Sequence, residues 1–338
     1  MIATVLYTNF DNMKHVSVLI PQGDTSLSSI EATYKMFTMV NQALERMRKP
    51  PLFKVQLVGL NKETTVTNGL FTVKPELTIN EVAKTDIIVI PAVHGDMNKV
   101  LQDNDDLLPW IIKQYKTGAE IASLCIGAFI LASTGLLKGR SCTTHWLMAD
   151  DFRKRFPEVN LVPYKIITDE GGIYTSGGAY SSLNLLLYLI EKFAGRDMAI
   201  NSSKIFEIDI DRHSQSLFII FHGQKDHDDD VIQKAQQFIE TNYRDKITVD
   251  HLADQFAISR RHLERRFKKA TSNTVVEYMQ RVRIEAAKLS LESMRENVNE
   301  VMYNVGYTDT KAFRMIFKKI TGVSPIEYRN KYSRDAAA

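Results

Sequence analysis

The stretch Ser-Arg-Arg-His-Leu-Glu-Arg-Arg-Phe-Lys-Lys, residues 259–269, decides how the C-terminal part of this 338-residue chain folds. Leu263 and Phe267 are four positions apart, so on a helix they share one face and point into a core, while the charged residues turn outward. Just upstream, 252–257 has the apolar spacing of a short amphipathic helix, and Ser259 can cap the helix that follows. The stretch predicts a helix, a tight turn and a basic helix, a geometry that can place a helix in the major groove of DNA.

The same pattern recurs about fifty residues later. Phe313 and Phe317 take the positions of Leu263 and Phe267, and the turn at 306–310 is one residue longer than the first. A single basic helix could be a solvated helix of an all-α domain, but the repeat indicates two copies of one supersecondary unit. We predict helix-turn-helix motifs at about 250–269 and 298–319, joined by a helix over 275–291. Their basic helices would enter successive major grooves, about 34 Å apart.

The second copy carries a family signature: Gly306-Tyr307-Thr308-Asp309, then Phe313, Phe317-Lys318 and Gly-Val-Ser-Pro-Ile-Glu-Tyr-Arg at 322–329. On these residues 231–332 resembles the DNA-binding domain of the AraC/XylS family. The chain departs from that family at Met315, where Arg is usual.

The resemblance implies which side chains face double-stranded promoter DNA. Base edges would be contacted from the first motif by Arg261, Glu264 and Arg265, and from the second by Thr310, Lys311 and Arg314. Arginine can bind guanine through two hydrogen bonds, and glutamate can accept one from cytosine. Arg260 lies on the same outward face, and Lys268, Lys269, Lys318 and Lys319 suit phosphates, which position the protein without specifying sequence.

Charge is distributed unevenly along the chain. Residues 231–338 hold 20 Lys and Arg against 13 Asp and Glu, a net charge of +7, whereas residues 1–230 hold 23 against 27, a net charge of −4. The basic part is the part with the duplicated helices. We therefore assign a polyanionic partner to the C-terminal third, with an affinity that falls steeply with salt.

Other features bear on compartment and cofactors. We find no signal-peptide pattern and no apolar run long enough to cross a bilayer, so we expect a cytoplasmic protein without a membrane partner. Cys125 and Cys142 are the two cysteines, without metal-ligand spacing, so we predict no disulfide scaffold, no metal site and no cofactor.

The N-terminal part alternates strands and helices. Strands are expected at 16–21, 54–60, 86–91 and 120–124, and helices at 30–48, 108–117 and 182–193, whereas 1–14 is a lead-in strand or a tail. The run Asp-Ile-Ile-Val-Ile-Pro at 86–91 is apolar on both faces, as in a strand covered on both sides. This order predicts an α/β domain with a doubly wound parallel sheet, flavodoxin-like in its winding.

Cys125 ends the strand at 120–124 and is followed by small residues and an apolar helix. This is the pattern of a nucleophile elbow, where the dipole of the helix favours the thiolate. His145 is the candidate base, but we find no convincing third residue to orient it. The alternative is an inert buried thiol and a histidine of the core.

Several motifs in 15–210 carry a second resemblance: Ile-Ile-Val-Ile-Pro at 87–91, the Cys125 elbow, 135–140, Thr-Thr-His-Trp at 143–146 and 174–179. They resemble the ThiJ/PfpI branch of the class I glutamine amidotransferase-like fold. Proteases of that group have His directly after the Cys, where this chain has Ile126. The resemblance implies a ligand site beyond the ends of the strands, with the candidate residues His94, Gly95, Cys125, Ile126, His145 and Ser176.

These elements suggest a sensor domain at 1–212, a linker at 213–230, a DNA-binding domain at 231–332 and a tail at 333–338. Combining the two domains is typical of a ligand-responsive transcription factor. Family analogy implies a nitrogenous or amino-acid-like small-molecule effector and a homodimer formed through the N-terminal domain. The main alternative is a cysteine-dependent amidase or hydrolase, using Cys125 and His145, with an appended DNA-binding module; a weaker one is a non-specific nucleoid-type protein.

Overall fold

The strand Ile87–Ile90 lies at the centre of the N-terminal unit, and all four of its side chains are buried. It pairs in parallel with Lys14–Ile20 on one side and with Glu120–Ser123 on the other. An unbroken apolar run is stable in this position because helices cover both faces of a parallel sheet. In this computed structural model, residues 13–212, 214–293 and 296–333 are described.

In the described part of the chain, the strands of the main sheet are β1 (Lys14–Ile20), β3 (Phe53–Gly59), β6 (Leu77–Thr78), β7 (Ile87–Ile90), β9 (Glu120–Ser123), β12 (Ile167–Glu170) and β13 (Ile173–Ser176). Their order in the sheet is β12-β13-β9-β7-β1-β3-β6. Only β12 runs antiparallel to its neighbour among these pairs. Short two-stranded sheets pair β2 (Asp24–Thr25) with β8 (Val93–His94), β4 (Thr64–Val66) with β5 (Phe71–Val73), and β10 (Ser141–Cys142) with β11 (Asn160–Leu161).

Helices cover both faces of the sheet, which confirms the predicted doubly wound α/β architecture. One core contains side chains of α2 (Met97–Asp103), α3 (Leu107–Lys116), α4 (Ala128–Ser133) and α5 (Ala149–Arg155). The other contains side chains of α1 (Leu27–Arg46), α6 (Ser182–Ala194) and α7 (Arg196–Ile205). The apolar stripe of α6 lies in this second core.

The C-terminal unit is helical, as predicted. Its helices are α8 (Asp230–Thr241), α9 (Val249–Gln255), α10 (Arg260–Thr271), α11 (Val275–Ser293), α12 (Val298–Asn304), α13 (Thr310–Thr321) and α14 (Pro325–Tyr332). Two separate cores hold them, and the long helix α11 contributes to both. Its first half supplies Val275 and Tyr278 to one core, and its second half supplies Ile284 and Leu291 to the other.

The segment between the two domains is not a free linker in the residues described. The chain divides into units Met1–Gln215 and Ser216–Ala338, so the boundary falls inside the predicted linker 213–230. Lys288, which is buried, donates to the carbonyl oxygen of Ile219 at 2.7 Å, and the amide of Phe221 donates to Glu285 at 3.1 Å. Leu217 and Phe221 are partly buried against the helical cores, whereas Phe218 and Ile220 remain exposed.

Two further expectations concern the chain ends and membranes. Residues 1–12, and the predicted tail beyond Ser333, lie outside the described residues. Within the described ranges, no helix has the length and apolar character needed to span a bilayer.

Candidate nucleic-acid interface and ligand site

The first helix-turn-helix copy consists of α9 and α10. Thr248 and Ser259 cap the two helices by accepting hydrogen bonds from backbone amides of their first turns. Leu263 and Phe267 are fully buried, which anchors α10 by the face that the sequence predicted. At the turn, Ala257 has a φ of 50°, in the left-handed region that L-residues occupy at some cost.

The second copy consists of α12 and α13 and repeats these features. Asn297 and Asp309 are the caps, and Phe313 and Phe317 are fully buried. Five residues, 305–309, separate the helices, against four, 256–259, in the first copy, so the second turn is longer by one residue, as predicted. Gly306 stands where the first copy has Ala257, with a φ of 81°.

The predicted DNA-contacting residues lie on the solvent faces of α10 and α13. Arg261, Arg265, Lys311 and Arg314 are exposed and make no ion pair within the described part of the chain. Thr310 is half-buried at the start of α13, and Lys318 is exposed on its last turn.

Other predicted contacts are already engaged within the protein. Arg260 forms ion pairs with Asp250 at 3.0 Å and with Glu264 at 3.2 Å, so two of the named residues neutralise each other. Lys268 donates to the carbonyl oxygen of Ser272 at 2.9 Å. These contacts are exposed and individually weak, so DNA could displace them.

The N-terminal unit places Cys125 at a strained turn after β9. Its φ is 55°, and a short 3-10 helix, Cys125–Gly127, leads into α4. A side chain at Gly127 would put a Cβ only 2.6 Å from the carbonyl oxygen of Pro91, so glycine is required there. This is the strand-to-helix elbow that the sequence predicted.

The thiol of Cys125, however, is not poised as a thiolate. Burial raises its pKa, and this outweighs the opposing hydrogen bonds from the backbone amides of Ala179 and Ile126. The expectation that the helix dipole would favour the thiolate was therefore wrong: only 4% of the residue is exposed, and desolvation disfavours the charged form.

His145 lies beside the elbow but serves a structural contact. Its Nδ1 accepts a hydrogen bond from the amide of Leu147 at 3.2 Å, and its ring packs so closely on Gly178 that a Cβ there would lie 2.3 Å from Cδ2. Burial, and then the charge of His94, lower the pKa of His145. Among the hydrogen bonds of the described residues, none joins His145 to Cys125. Ser176 instead accepts from the Cys125 amide at 3.1 Å.

Gln215 closes this site from the end of the unit. Its Oε1 accepts from the amide of Gly178 at 3.1 Å, and its Nε2 donates to the carbonyl oxygens of Thr144 at 2.9 Å and Pro163 at 2.7 Å. Only 2% of Gln215 is exposed. Sequence analysis missed this residue because it lies in the stretch taken for a linker, where no periodic pattern marks it.

A cavity of about 540 Å³ opens next to the elbow, over the carboxyl ends of β1 and β7. It contains His94 and Gly95 of the predicted ligand set, but not Cys125, Ile126, His145 or Ser176. Its remaining lining residues are Gln22, Gly23, Asp24, Asp96, Lys99, Val100 and Asp103. Of these carboxylates, Asp96 also caps the start of α2.

Metal binding finds no support in the described residues. No group of three or more histidine, cysteine, aspartate or glutamate side chains there has an arrangement that could hold a metal ion. In the polar run before α8, Asp229 instead pairs with Arg266 and His227 with Gln236.

Comparison with known proteins identifies both parts of the chain. The model of the DJ-1/PfpI family matches residues 8–192, and that of a helix-turn-helix domain matches residues 252–331. The chain belongs to the DJ-1/PfpI family. It carries an AraC-type DNA-binding domain as well, so both predicted resemblances are confirmed.

Three relatives match different shares of this chain. The HTH-type transcriptional regulator GbdR of Pseudomonas aeruginosa is 22% identical over 90% of this chain and 81% of its own length. A solved structure from Vibrio parahaemolyticus, of a protein classed as a transcriptional regulator, covers 57% of this chain and 98% of its own, with a TM-score of 0.52 and 22% identity, and supports the α/β fold. The isonitrile hydratase of Pseudomonas putida is 27% identical over 44% of this chain and 63% of its own length. The predicted class, a DNA-binding transcriptional regulator, is confirmed, and the enzyme alternative is not favoured.

Proposed function

We propose that the protein regulates transcription by binding a specific promoter sequence through α10 and α13 while its N-terminal unit binds a small-molecule effector. One observation carries this proposal. Each of the two helices has one fully buried pair of apolar side chains, Leu263 with Phe267 or Phe313 with Phe317, and an exposed face with cationic side chains. Burial of the pair fixes the orientation of each helix, and the cationic face attracts the phosphate backbone.

The residue roles follow from side-chain chemistry. Arg265 and Arg261 of α10, and Arg314 of α13, are exposed and free to form paired hydrogen bonds with guanine. Lys268 and Lys318, on the last turns of the two helices, suit contacts with phosphates. Arg260 would change partners on binding, from Asp250 and Glu264 to the DNA.

The effector site we propose is the cavity beside the elbow. Asp24, Asp96 and Asp103 give its lining more carboxylates than cations, which suits a ligand with a positively charged nitrogen, such as an amine or an amino-acid-like metabolite. His94 connects this cavity to the elbow because its charge acts on His145. We propose that His94, which lines the cavity, links the effector to the side chains around Cys125.

Gln215 is positioned to carry the signal. It is the last residue of the N-terminal unit, and Ser216, the first residue of the next unit, follows it directly. Its side chain forms hydrogen bonds with the backbone of Gly178 and Thr144 beside the elbow. An effector can shift DNA binding only by the difference in its affinity for two arrangements of the protein. We propose that these arrangements differ in the hydrogen bonds of Gln215 and that the regulator acts as a homodimer joined through its N-terminal unit.

We propose that Cys125 does not turn over a substrate. The buried thiol has a raised pKa, and the neighbouring His145 accepts a hydrogen bond from its own chain. Cys125→Ser should leave effector-dependent DNA binding unchanged. Hydrolysis of amide substrates or hydration of isonitriles by the native protein, abolished by the same substitution, would show that the protein is an enzyme instead.

Selection of bound fragments from a random DNA library tests the central proposal. The full-length protein should enrich one sequence, and Arg261→Ala combined with Arg265→Ala should remove that enrichment. Lys234→Ala is the matched control, since Lys234 is an exposed cation of α8 in the same unit. Enrichment of no sequence, with equal retention of all fragments, would support the non-specific alternative.

A metabolite panel tests the effector. Cationic amines and amino acids that raise the unfolding temperature of the native protein should lose their effect in Asp24→Asn and Asp103→Asn. Gln215→Ala should keep the shift in unfolding temperature but lose the effect of the ligand on DNA affinity. Loss of both effects in the Gln215 variant would place the residue in ligand binding and not in coupling.

A further inference from the structure

Met315 is an exposed apolar side chain in the middle of a cationic surface. It is 62% exposed on α13, and its neighbours one turn away on the same side of the helix are Lys311, Lys318 and Lys319. The core-facing residues of the same helix are Phe313 and Phe317, both fully buried. The side chain therefore contributes nothing to the core.

The duplicated architecture shows which position this is. Phe313 matches Leu263, and each recognition helix begins directly after its capping residue. Met315 is the sixth residue of α13, just as Arg265 is the sixth residue of α10. Each side chain points away from the buried apolar pair of its own helix, so Arg265 and Met315 would face bound DNA in the same way.

The chemistry of the two side chains differs sharply. Arg265 offers a planar set of donors, which suits the two acceptors of guanine in the major groove. The thioether of Met315 has no donor and only a weak acceptor, so it cannot hydrogen-bond a base edge usefully. The apolar group that the major groove presents is the C5 methyl of thymine.

We propose that Met315 is a specificity-determining residue that contacts the C5 methyl group of a thymine. This thymine lies in the part of the DNA site contacted by α13 of one protomer, here called the α13 half-site. The corresponding position of α10, Arg265, contacts a guanine in its own half-site. The two half-sites therefore differ, and the operator is not a repeat of one sequence. This inference rests on the proposed DNA-binding function and adds to it which base the second helix prefers. The unbranched, polarisable side chain can adapt to the shape of the methyl group.

Uracil substitution isolates the methyl group. In the site selected by the full-length protein, each thymine is replaced singly by deoxyuridine, which lacks only that methyl, and affinities are measured by fluorescence anisotropy. Replacing one thymine of the α13 half-site with deoxyuridine should lower the affinity of the native protein about threefold to fivefold, which corresponds to the burial of one methyl group. Met315→Ala should bind the thymine and uracil sites equally, while Met315→Leu should keep the preference. Met315→Arg should move selection at that position from thymine towards guanine.

Three outcomes would overturn the inference. If the native protein selects no sequence, the proposed function fails and the inference with it. If it selects a sequence but uracil costs Met315→Ala as much as the native protein, the function stands and Met315 does not read thymine. If Met315→Ala binds every site like the native protein but no longer changes transcription, Met315 contacts a protein partner and not DNA. The unfolding temperature of each variant serves as the folding control, which an exposed side chain should leave unchanged.

Discussion

Helix α10 exposes Arg261, Glu264 and Arg265, where α13 exposes Lys311, Arg314 and Met315. The buried positions, in contrast, hardly differ: both helices are capped by an oxygen side chain and anchored by residues with no exposed surface. Duplicated frames can thus carry different surfaces, because packing constrains the inner face and leaves the outer face free.

The copies also share a buried tyrosine tied to a carboxylate. Tyr278 donates to Glu240 at 2.6 Å in the first core, and Tyr328 donates to Glu292 in the second. Burial is the largest cause that raises the pKa of both phenols, so they remain neutral donors at physiological pH. Each core therefore closes around one satisfied polar pair.

The largest expected difference between the copies is at the turn. In Gly306→Ala a Cβ would lie 2.7 Å from the carbonyl oxygen of Arg244, in a backbone with positive φ. We expect the second copy to lose about 2–4 kcal/mol of stability, from left-handed strain and overpacking together. Hydrogen exchange of the amides of α12 and α13 measures this loss.

The matched control is Ala257→Gly in the first copy. It removes left-handed strain without creating a contact, so we expect that copy to become more stable by up to about 1 kcal/mol. Equal and small effects of the two substitutions would show that the turns are not under different constraints.

The next largest effect concerns base reading. Arg265→Ala should lower discrimination at one guanine by about 1–3 kcal/mol and leave the remaining positions of the site unchanged. Competition binding with single-base variants of the selected site measures this. An equal loss on all sequences would place Arg265 among the phosphate contacts.

Phosphate contacts should show a smaller, sequence-independent effect. Lys318→Ala should weaken binding to every sequence and flatten the salt dependence by about one unit. Lys268→Ala should flatten it less, because Lys268 already donates to the carbonyl oxygen of Ser272. DNA titrations over a range of salt concentrations distinguish the two variants. Equal slopes of log affinity against log salt would show that Lys268 and Lys318 contribute equally.

The smallest effect is a pH dependence that comes from the Asp229–Arg266 ion pair, which has no counterpart at the equivalent position of the second copy. The hydrogen bond from Arg266, followed by the amide of Ile232, holds the pKa of Asp229 below its usual range, and the position equivalent to Arg266 in the second copy is Ile316. A carboxyl with a lowered pKa stabilises the fold above its unfolded pKa, near 3.8, and this contribution is lost as the pH falls through the folded value. Hydrogen exchange should show α8 and α10 weakening below about pH 4 before α12 and α13.

Asp229→Asn is the control for that pH effect. It should cost the first copy up to about 1 kcal/mol near neutral pH through loss of the ion pair with Arg266, because asparagine can still cap α8, and it should remove the difference in pH dependence. A difference that persists in this variant would have to come from another carboxyl group.

Much of the fold was accessible from local patterns. The apolar spacing of 259–269 and 298–319 predicted helices, and the unbroken run at 86–91 predicted a strand covered on both faces, because periodicity reports which side of an element is buried. The elbow at Cys125 was predicted in the same way. Its electrostatics were not, because desolvation depends on everything packed around the thiol.

The ligand site was accessible only in part. His94 and Gly95 lie in the cavity, yet Asp24 and Asp103 come from segments far apart in the chain that the sheet brings together. Gln215 gave no signal, since a single polar residue in a polar stretch resembles any other. Residues that act through long-range contacts leave no periodic trace.

The sequence by itself determined the duplicated helices, the order of strands and helices, and the difference in net charge between residues 1–230 and 231–338. Each of these depends on residue type and spacing along the chain. Only the tertiary structure decided that 217–221 packs on α11, that burial raises the pKa of the Cys125 thiol, and that Gln215 forms hydrogen bonds with the residues around the elbow. These properties depend on burial and on partners distant in sequence, which appear only when the chain has folded.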